Sequence, residues 1–93
     1  MMKKAFDAIV SGRVQNVLYR DFARGEARAL NVTGEAKNMP DGTVRIRAEG
    51  EQKALASLVE KLKKGPPLSR VESVSVSWTE PSDSFTDFSA TFS

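Results

Sequence analysis

The first apolar positions of the chain alternate with other residues, as they do along a β-strand with one buried face. Phe6, Ala8 and Val10 form the apolar face of this predicted strand, which ends at Ser11-Gly12. From Tyr19 the spacing becomes helical, and one apolar face collects Tyr19, Phe22, Ala23, Ala27 and Leu30. The chain therefore begins with a strand, a short glycine-led loop and an amphipathic helix.

A β-hairpin is predicted in the middle of the chain, within "NVTGEAKNMPDGTVRIRAEG". Apolar residues alternate with charged ones from Val44 to Ala48, which is the pattern of a half-buried strand. Pro40 restricts its own φ, and Gly42 can adopt the left-handed conformation that closes a hairpin. The second and third strands are therefore expected to flank residues 40–42.

A second amphipathic helix follows the hairpin. Its apolar stripe, in the segment "EQKALASLVEKLKKGPP", consists of Leu55, Leu58, Val59 and Leu62. Lysines near its end suit the negative pole of the helix dipole, and Gly65-Pro66 stops the helix. This is the most clearly marked helix of the sequence.

Two further strands with one wet face complete the pattern. Their alternating apolar residues are Val74, Val76 and Trp78 in "RVESVSVSWTE", and Phe88, Ala90 and Phe92 in "FTDFSATF". The order βαββαβ plus a terminal strand predicts an α+β, ferredoxin-like fold. In this fold two helices pack on one face of an antiparallel sheet. No linker or repeat divides the chain, so residues 1–93 are expected to form a single domain.

The composition excludes several classes of chemistry. The sequence contains no cysteine and no histidine, so disulfides, thiolate or histidine catalysis, and metal sites built from these residues are impossible. The net charge of +2 is too small and too dispersed to indicate nucleic-acid binding. Asp7 interrupts the apolar stretch near the start, which argues against a signal peptide, and no run approaches a membrane span. We therefore expect a cytoplasmic protein that binds neither nucleic acid nor membrane. We also expect it to be a monomer.

The loop after the first strand, in "SGRVQNVLYRDF", has the outline of an anion-binding site. A short loop that leads into a helix N-terminus can present several backbone N–H groups to an anion, and the helix dipole adds positive potential. Arg20 stands at the junction of loop and helix, where its planar guanidinium could bind a phosphate. On spacing alone, a turn with solvated surface arginines fits equally well.

Two motifs add a resemblance to a known family. "SGRVQNVLYRDF" is similar to the acylphosphatase signature Gly-Arg-Val-Gln-Gly-Val-x-Phe-Arg, and "GEAKNMPDGTV" resembles the family's second signature, Gly-x-x-x-Asn-x-x-Asp-Gly-x-Val. The stretches "ALNVTG", "AEG" and "GPPLSRVESVSV" resemble family features in the same order, so the likeness covers nearly the whole chain. It implies hydrolysis of acyl phosphates to a carboxylate and inorganic phosphate, without metal or cofactor. Inorganic phosphate would then be both product and competitive inhibitor.

The resemblance also implies roles for individual residues. Arg20 matches the arginine that binds the phosphoryl group, and Asn38 matches the asparagine that positions the attacking water. The substrate-binding loop would comprise Gly12, Arg13, Val14, Gln15, Asn16, Val17, Leu18 and Tyr19 together with Arg20, with Arg13 a structural or peripheral charge. Without the resemblance, Asn38 reads more simply as a residue that completes the end of its strand.

Three positions depart from the family pattern. Asn16 and Leu18 stand where glycine is common, and Glu35 replaces an aromatic residue. Asparagine tolerates positive φ better than most residues, so we expect Asn16 to carry backbone strain in the loop. Its side chain could also crowd the anion and reduce activity. Glu35 is expected to affect the sheet more than the loop.

A non-catalytic module with the same fold remains an alternative at this point. A ferredoxin-like sheet can bind RNA, another anion or a protein without catalysis, and fold alone does not decide between these functions. RNA-recognition sheets stack bases on exposed aromatic residues. The strand "TVRIRAEG" has no aromatic residue, and Glu49 dilutes the charge of Arg45 and Arg47. A solvated sheet face therefore explains this strand better than an RNA surface.

Overall fold

The computed structural model describes residues 3–91, which form two helices and one five-stranded sheet. In chain order the elements are β1 (Lys3–Arg13), α1 (Tyr19–Ala29), β2 (Thr33–Asn38), β3 (Val44–Glu51), α2 (Gln52–Lys64), β4 (Arg70–Thr79) and β5 (Phe88–Thr91). Both helices and the hairpin lie where the sequence predicts them. Within the described residues, no helix is long and apolar enough to cross a membrane.

The strand order across the sheet is β4-β1-β3-β2-β5. β1 runs antiparallel to β3 and β4, β2 runs antiparallel to β3, and β5 runs parallel to β2. The predicted ferredoxin-like α+β arrangement of two helices and a sheet is confirmed. The sequence left the direction of the C-terminal strand open, and this strand, β5, forms a parallel pair with β2. The cause is topological: β4 and β5 occupy opposite edges, so the chain crosses the sheet between them and β5 starts from the same end as β2.

The core lies between the sheet and the two helices. It contains the alternating residues of the strands and the apolar stripes of the helices: Phe6, Ala8, Val10, Tyr19, Ala23, Ala27, Val44, Ile46, Leu55, Leu58, Leu62 and Phe88. Three residues expected on the apolar helix faces, Phe22, Leu30 and Val59, are only partly buried. Trp78 is 52% exposed because β4 is an edge strand, and Phe92 lies outside the described residues.

The connection between β4 and β5 is held by a buried carboxylate, Glu49, which is only 4% exposed. One oxygen of Glu49 accepts hydrogen bonds from the backbone N–H and hydroxyl of Ser82, at 2.8 and 2.7 Å. The other accepts the N–H of Asp83 at 3.0 Å and lies 3.9 Å from Lys3 Nζ. Burial by itself raises the pKa of Glu49, but these hydrogen bonds outweigh it and the pKa is lowered.

Replacing Glu49 with glutamine is expected to lower the free energy of unfolding by about 1.5–3 kcal/mol at pH 7, because hydrogen bonds to a charged group are lost. Since the folded-state pKa of Glu49 lies below its usual value, the stabilisation is present above the unfolded-state pKa. It disappears as the pH falls through the folded-state value. Urea unfolding of wild type and Glu49→Gln should therefore differ at pH 7 and converge in acid. Glu51→Gln, an exposed change at the end of the same strand, is the control. Equal destabilisation at every pH would contradict this role for the charge.

Candidate active site

The sheet topology places the carboxyl ends of three strands at the same end of the sheet. β1, β2 and β5 all run in the same direction, so their carboxyl ends lie together. Asn38 pairs with Val44, which pairs in turn with Val10 of β1, and Thr91 of β5 pairs with Lys37. The loop after β1, Asn38 at the end of β2 and Thr91 in β5 are therefore close neighbours.

The loop starts at a β-bulge in β1. The register with β4 shifts between Ser11 and Gly12, so β1 continues to Arg13 rather than ending at Ser11-Gly12 as the sequence suggested. Gly12 has φ +117°, and a Cβ atom there would lie 2.1 Å from the carbonyl oxygen of Arg70. Glycine is thus required at this bulge, one residue before β1 ends.

Three side chains fix the loop to the body of the protein. Val14 and Val17 are buried in the core. Gln15 Nε2 donates hydrogen bonds to the carbonyl oxygens of Met39 and Thr43, at 2.8 and 2.9 Å. These contacts tie the loop to the hairpin that carries Asn38 at the end of β2. The side chains of Val14, Gln15 and Val17 are thereby used for structure, so they can serve an anion only through their backbone.

Two loop residues adopt the left-handed backbone conformation, with φ 60° at Asn16 and 63° at Leu18. The strain expected at Asn16 is confirmed. The strain at Leu18 was not predicted, since leucine has no side-chain group that favours positive φ and pays about 1–2 kcal/mol for it. The side chain of Leu18 is 70% exposed, so burial of this leucine does not explain its conformation. We interpret this strain as part of the geometry of the loop.

Helix α1 begins directly after Leu18, which is its N-cap residue and makes no capping hydrogen bond with its side chain. Phe22 N–H bonds to the Leu18 carbonyl, which is the first helical hydrogen bond. By helix geometry, the preceding N–H groups of Tyr19, Arg20 and Asp21 have no acceptor within the helix. The positive end of the helix dipole lies at the same point. This terminus is therefore suited to an anion.

Arg20 and Tyr19 connect the start of α1 to neighbouring elements. Arg20 Nη1 donates a hydrogen bond to the carbonyl oxygen of Thr91 in β5. The Tyr19 hydroxyl donates to the carbonyl of Leu62 at 2.7 Å, and burial raises the pKa of Tyr19. Tyr19 therefore stays protonated near neutral pH and serves as a link between the helices. The carbonyl group of Thr91 in β5 orients the guanidinium of Arg20.

Asn38 is held at the base of a rigid turn. Asp41 Oδ1 accepts hydrogen bonds from Thr43 Oγ1 and N, at 2.6 and 3.1 Å, and these bonds lower the pKa of Asp41. The backbone of Met39 donates to Thr43, which closes the hairpin next to Asn38. Asn38 Oδ1 is buried and has no hydrogen-bond partner among the described residues. An asparagine that only completed its strand end would be expected to bond this oxygen locally.

A cavity of about 410 Å³ opens between the loop and α1. Among residues 3–91, its wall consists of Val14, Asn16, Leu18, Tyr19, Arg20, Asp21, Arg24 and Ala90. Five of the nine predicted loop residues are therefore brought together, while Gly12, Arg13, Gln15 and Val17 form the base and flank of the loop. Asn38 lies at the neighbouring strand end, outside this wall. Asp21, Arg24 and Ala90 were not predicted, although Arg24 follows Arg20 by one helical turn.

Comparison with known proteins decides the family. The acylphosphatase family model matches residues 6–90, which is nearly the whole chain. The chain belongs to the acylphosphatase family. Its function is accordingly that of an acylphosphatase, an enzyme that hydrolyses acyl phosphates to a carboxylate and phosphate. An enzyme is thus favoured over the non-catalytic binding module that the sequence also allowed.

Individual acylphosphatases are similar over most of their length. The chain is 46% identical to an acylphosphatase of Salinibacter ruber over 86 residues, covering 92% of this chain and 90% of the relative. It is 51% identical to one of Thermus thermophilus over 73 residues, covering 78% and 83%. The crystal structure of an acylphosphatase from Bacillus subtilis matches with a TM-score of 0.91 at 40% identity, covering 97% of this chain and 99% of the other. These matches also support the ferredoxin-like α+β fold.

Proposed function

We propose that this acylphosphatase hydrolyses its substrate in the cavity between the β1–α1 loop and α1. Arg20 and the backbone N–H groups of the loop and helix start bind the phosphoryl group, and Asn38 orients the attacking water. One observation carries this proposal: Arg20, the strained residues Asn16 and Leu18, and the uncapped start of α1 all border one cavity. Arg13, exposed at the end of β1, supplies a peripheral charge.

The phosphoryl group matches this cavity in charge and in hydrogen-bonding capacity. Its oxygens carry negative charge and accept hydrogen bonds, and the cavity offers backbone donors, the positive end of a helix dipole and a guanidinium group. When residues of a loop adopt the left-handed conformation, successive N–H groups can point toward one position and form a concave anion site. The conformations of Asn16 and Leu18 suit this purpose.

Asn38 is suited to hold the water. Its buried Oδ1 can accept a hydrogen bond from a water O–H, and leaving such an acceptor unpaired costs about 1–3 kcal/mol. The turn that fixes Asn38 is tied by Gln15 to the same loop that borders the cavity. The hydrogen bonds of Gln15 therefore fix the position of a water bound at Asn38 relative to the phosphoryl site.

The reaction needs no proton donor for its leaving group. The water oxygen forms a bond to phosphorus, the bond from phosphorus to the acyl oxygen breaks, and its electron pair leaves with the carboxylate. A carboxylic acid has a pKa near that of a glutamate side chain, about 4.3, so the carboxylate departs without protonation. The protons of the water go to the phosphate product and to solvent. Catalysis then rests on positioning and charge stabilisation, which an arginine, backbone amides and one asparagine can provide.

Several further expectations are part of this proposal. Residues 1–93 act as one domain and as a monomer in the cytoplasm, without metal, cofactor, nucleic acid or membrane. Inorganic phosphate competes with the substrate because it presents the same oxygens to the same donors. Sedimentation of the purified protein tests the monomer, and activity after treatment with a chelator tests the independence from metal.

The direct test is to incubate the purified protein with benzoyl phosphate. The expected result is release of benzoate and phosphate in equal amounts, with competitive inhibition by added phosphate. Inhibition that changes only the maximal rate would place phosphate elsewhere. Absence of hydrolysis by the folded protein would contradict the proposal.

Changing the strained position Asn16 tests the backbone role of the loop. Asn16→Gly should keep or raise turnover and tighten phosphate inhibition, because glycine adopts positive φ freely and opens the cavity. Asn16→Val should lower turnover roughly tenfold. A β-branched residue in the left-handed conformation raises the free energy of the loop by about 1–2 kcal/mol. Steady-state kinetics with phosphate inhibition measures both effects, and circular dichroism confirms folding.

A matched control exists at Asn31, which has φ 58° and is exposed after α1. Asn31→Val introduces the same strain away from the cavity, so it should lower stability without changing phosphate inhibition. If Asn16→Val folded and turned over like wild type, the loop would not use residue 16 in its left-handed conformation.

A further inference from the structure

The cavity is larger than a phosphoryl group requires. Its volume of about 410 Å³ lies within the range of small-molecule sites, ~300–1,000 Å³. The loop and the start of α1 form one part of the wall, and Asp21, Arg24 and Ala90 form the rest. If the phosphoryl group lies against the backbone of the loop, as proposed above, the acyl part of the substrate lies against these remaining residues and the exposed side chain of Leu18.

Arg24 adds a second guanidinium to this cavity. It follows Arg20 by four residues in α1, and side chains with this spacing are neighbours on one helix face, with Cβ atoms about 5–6 Å apart. Both arginines border the cavity. An anion held at Arg20 is therefore within a short carbon chain of a second cationic group.

The present partner of Arg24 is easily exchanged. Arg24 Nη2 donates to Asp21 Oδ1 at 2.8 Å, and the two side chains are 38% and 55% exposed. An ion pair this exposed contributes little to stability. Both members border the cavity, so a carboxylate of a substrate can take the place of Asp21 on Arg24. Leu18, 70% exposed, and Ala90 offer apolar contact to the methylene groups between the two anions.

We infer that Arg24 is a specificity residue of this enzyme. It selects acyl phosphates whose acyl chain carries a second anionic group a few carbons from the anhydride. This inference rests on the proposed function of the cavity. It does not change the reaction: the second anion is bound at Arg24 and keeps all its bonds while the phosphoryl group reacts.

Two substrates that differ in one group test the inference. Succinyl phosphate and butyryl phosphate have the same number of carbons, and succinyl phosphate has a carboxylate where butyryl phosphate has a methyl group. Wild type should show the lower KM for succinyl phosphate. Arg24→Gln should raise that KM about tenfold, which is the size expected for one charge-assisted contact, and should change the KM for butyryl phosphate several times less. The kcat values should move less than KM.

Two further variants sharpen the result. Asp21→Asn should lower the KM for succinyl phosphate a few-fold, because the competing carboxylate is gone. Arg28→Gln is the matched control: Arg28 lies one turn further along α1, pairs with Asp87 at 2.8 Å and borders a different cavity. It should leave the ratio of the two KM values as in wild type. An Arg24→Gln variant with equal changes for both substrates, or with none, would overturn the inference.

The outcome for Arg24 can be separated from the outcome for the proposed function. Hydrolysis of neither substrate by wild type would refute the function. Calorimetric binding of the non-hydrolysable succinyl and butyryl phosphonates still tests Arg24 in that case. Tighter binding of succinyl phosphonate that is lost in Arg24→Gln supports the inference. Equal binding of both, or binding of neither, rejects it.

Discussion

Replacing Arg20 with alanine is expected to reduce kcat/KM for benzoyl phosphate by at least about 10³-fold, which is the effect of removing an arginine that stabilises phosphoryl transfer. In the proposed mechanism the guanidinium both binds the phosphoryl oxygens and offsets the charge that develops on them. The hydrogen bond to Thr91 is lost at the same time, so the free energy of unfolding should fall by about 1 kcal/mol. The fold should persist because α1 packs through Tyr19, Ala23 and Ala27.

Two comparisons distinguish the guanidinium from charge in general. Arg20→Lys should recover little activity, because an ammonium group is a point charge and lacks the planar set of donors. Arg28→Ala removes an arginine from the exposed side of the same helix and should keep wild-type kcat/KM. Near-normal turnover by a folded Arg20→Ala protein would show that the phosphoryl group binds elsewhere.

The elements of this fold could be predicted because each has a strong local signal. The stripe Leu55, Leu58 and Leu62 repeats at helical spacing and ends at Gly65-Pro66, and all three leucines are buried in α2. The alternation from Val44 to Ala48 likewise matches the buried face of β3. In both cases the spacing alone determines which face enters the core.

The direction of β5 depends on contacts between distant residues, and so the sequence did not reveal it. Glu49 lies in β3 and holds Ser82 and Asp83, more than thirty positions later in the chain. Alternation in the strand "TVRIRAEG" predicts that Glu49 faces solvent, on the side opposite Val44, Ile46 and Ala48. Here the connection from β4 to β5 covers that face: Arg47 Cζ lies 5.5 Å from the centre of the Phe85 ring, and Glu49 is buried.

The sequence predicted only part of the candidate site, because the rest also depends on contacts between distant residues. The glycine-led loop, Arg20 and Asn38 stand in recognisable motifs, and the strain at Asn16 follows from its residue type. Leucine gives no such signal, so the left-handed conformation of Leu18 required the structure. Arg24 looks like any exposed helical arginine in the sequence. Its place beside Arg20 in the cavity is evident only when the loop and β5 enclose that face of α1.

Asn38→Ala should lower kcat by about 10²- to 10³-fold, the usual cost of losing one group that positions a reacting species. The affinity for inorganic phosphate should stay within about twofold of wild type, because the proposed phosphate donors belong to the loop, α1 and Arg20. Kinetics with phosphate as inhibitor separates these two effects. Lys37→Ala, an exposed change at the adjacent position of β2, is the control and should retain activity. Loss of phosphate affinity in Asn38→Ala would show that Asn38 binds the phosphoryl group instead of the water.

The stability of the same variant gives an independent readout. If Asn38 served only folding, its truncation would lower the free energy of unfolding of the protein by the contribution of its hydrogen bonds. Asn38 Oδ1 has no such bond within the described residues and is buried, so its removal should change the free energy of unfolding by less than about 1 kcal/mol, or raise it. A variant that is inactive and as stable as wild type would mean that the unpaired oxygen is retained for catalysis at a cost to stability. A loss of several kcal/mol by urea unfolding would instead mean that Asn38 supports the end of β2, and the water would need another residue to orient it.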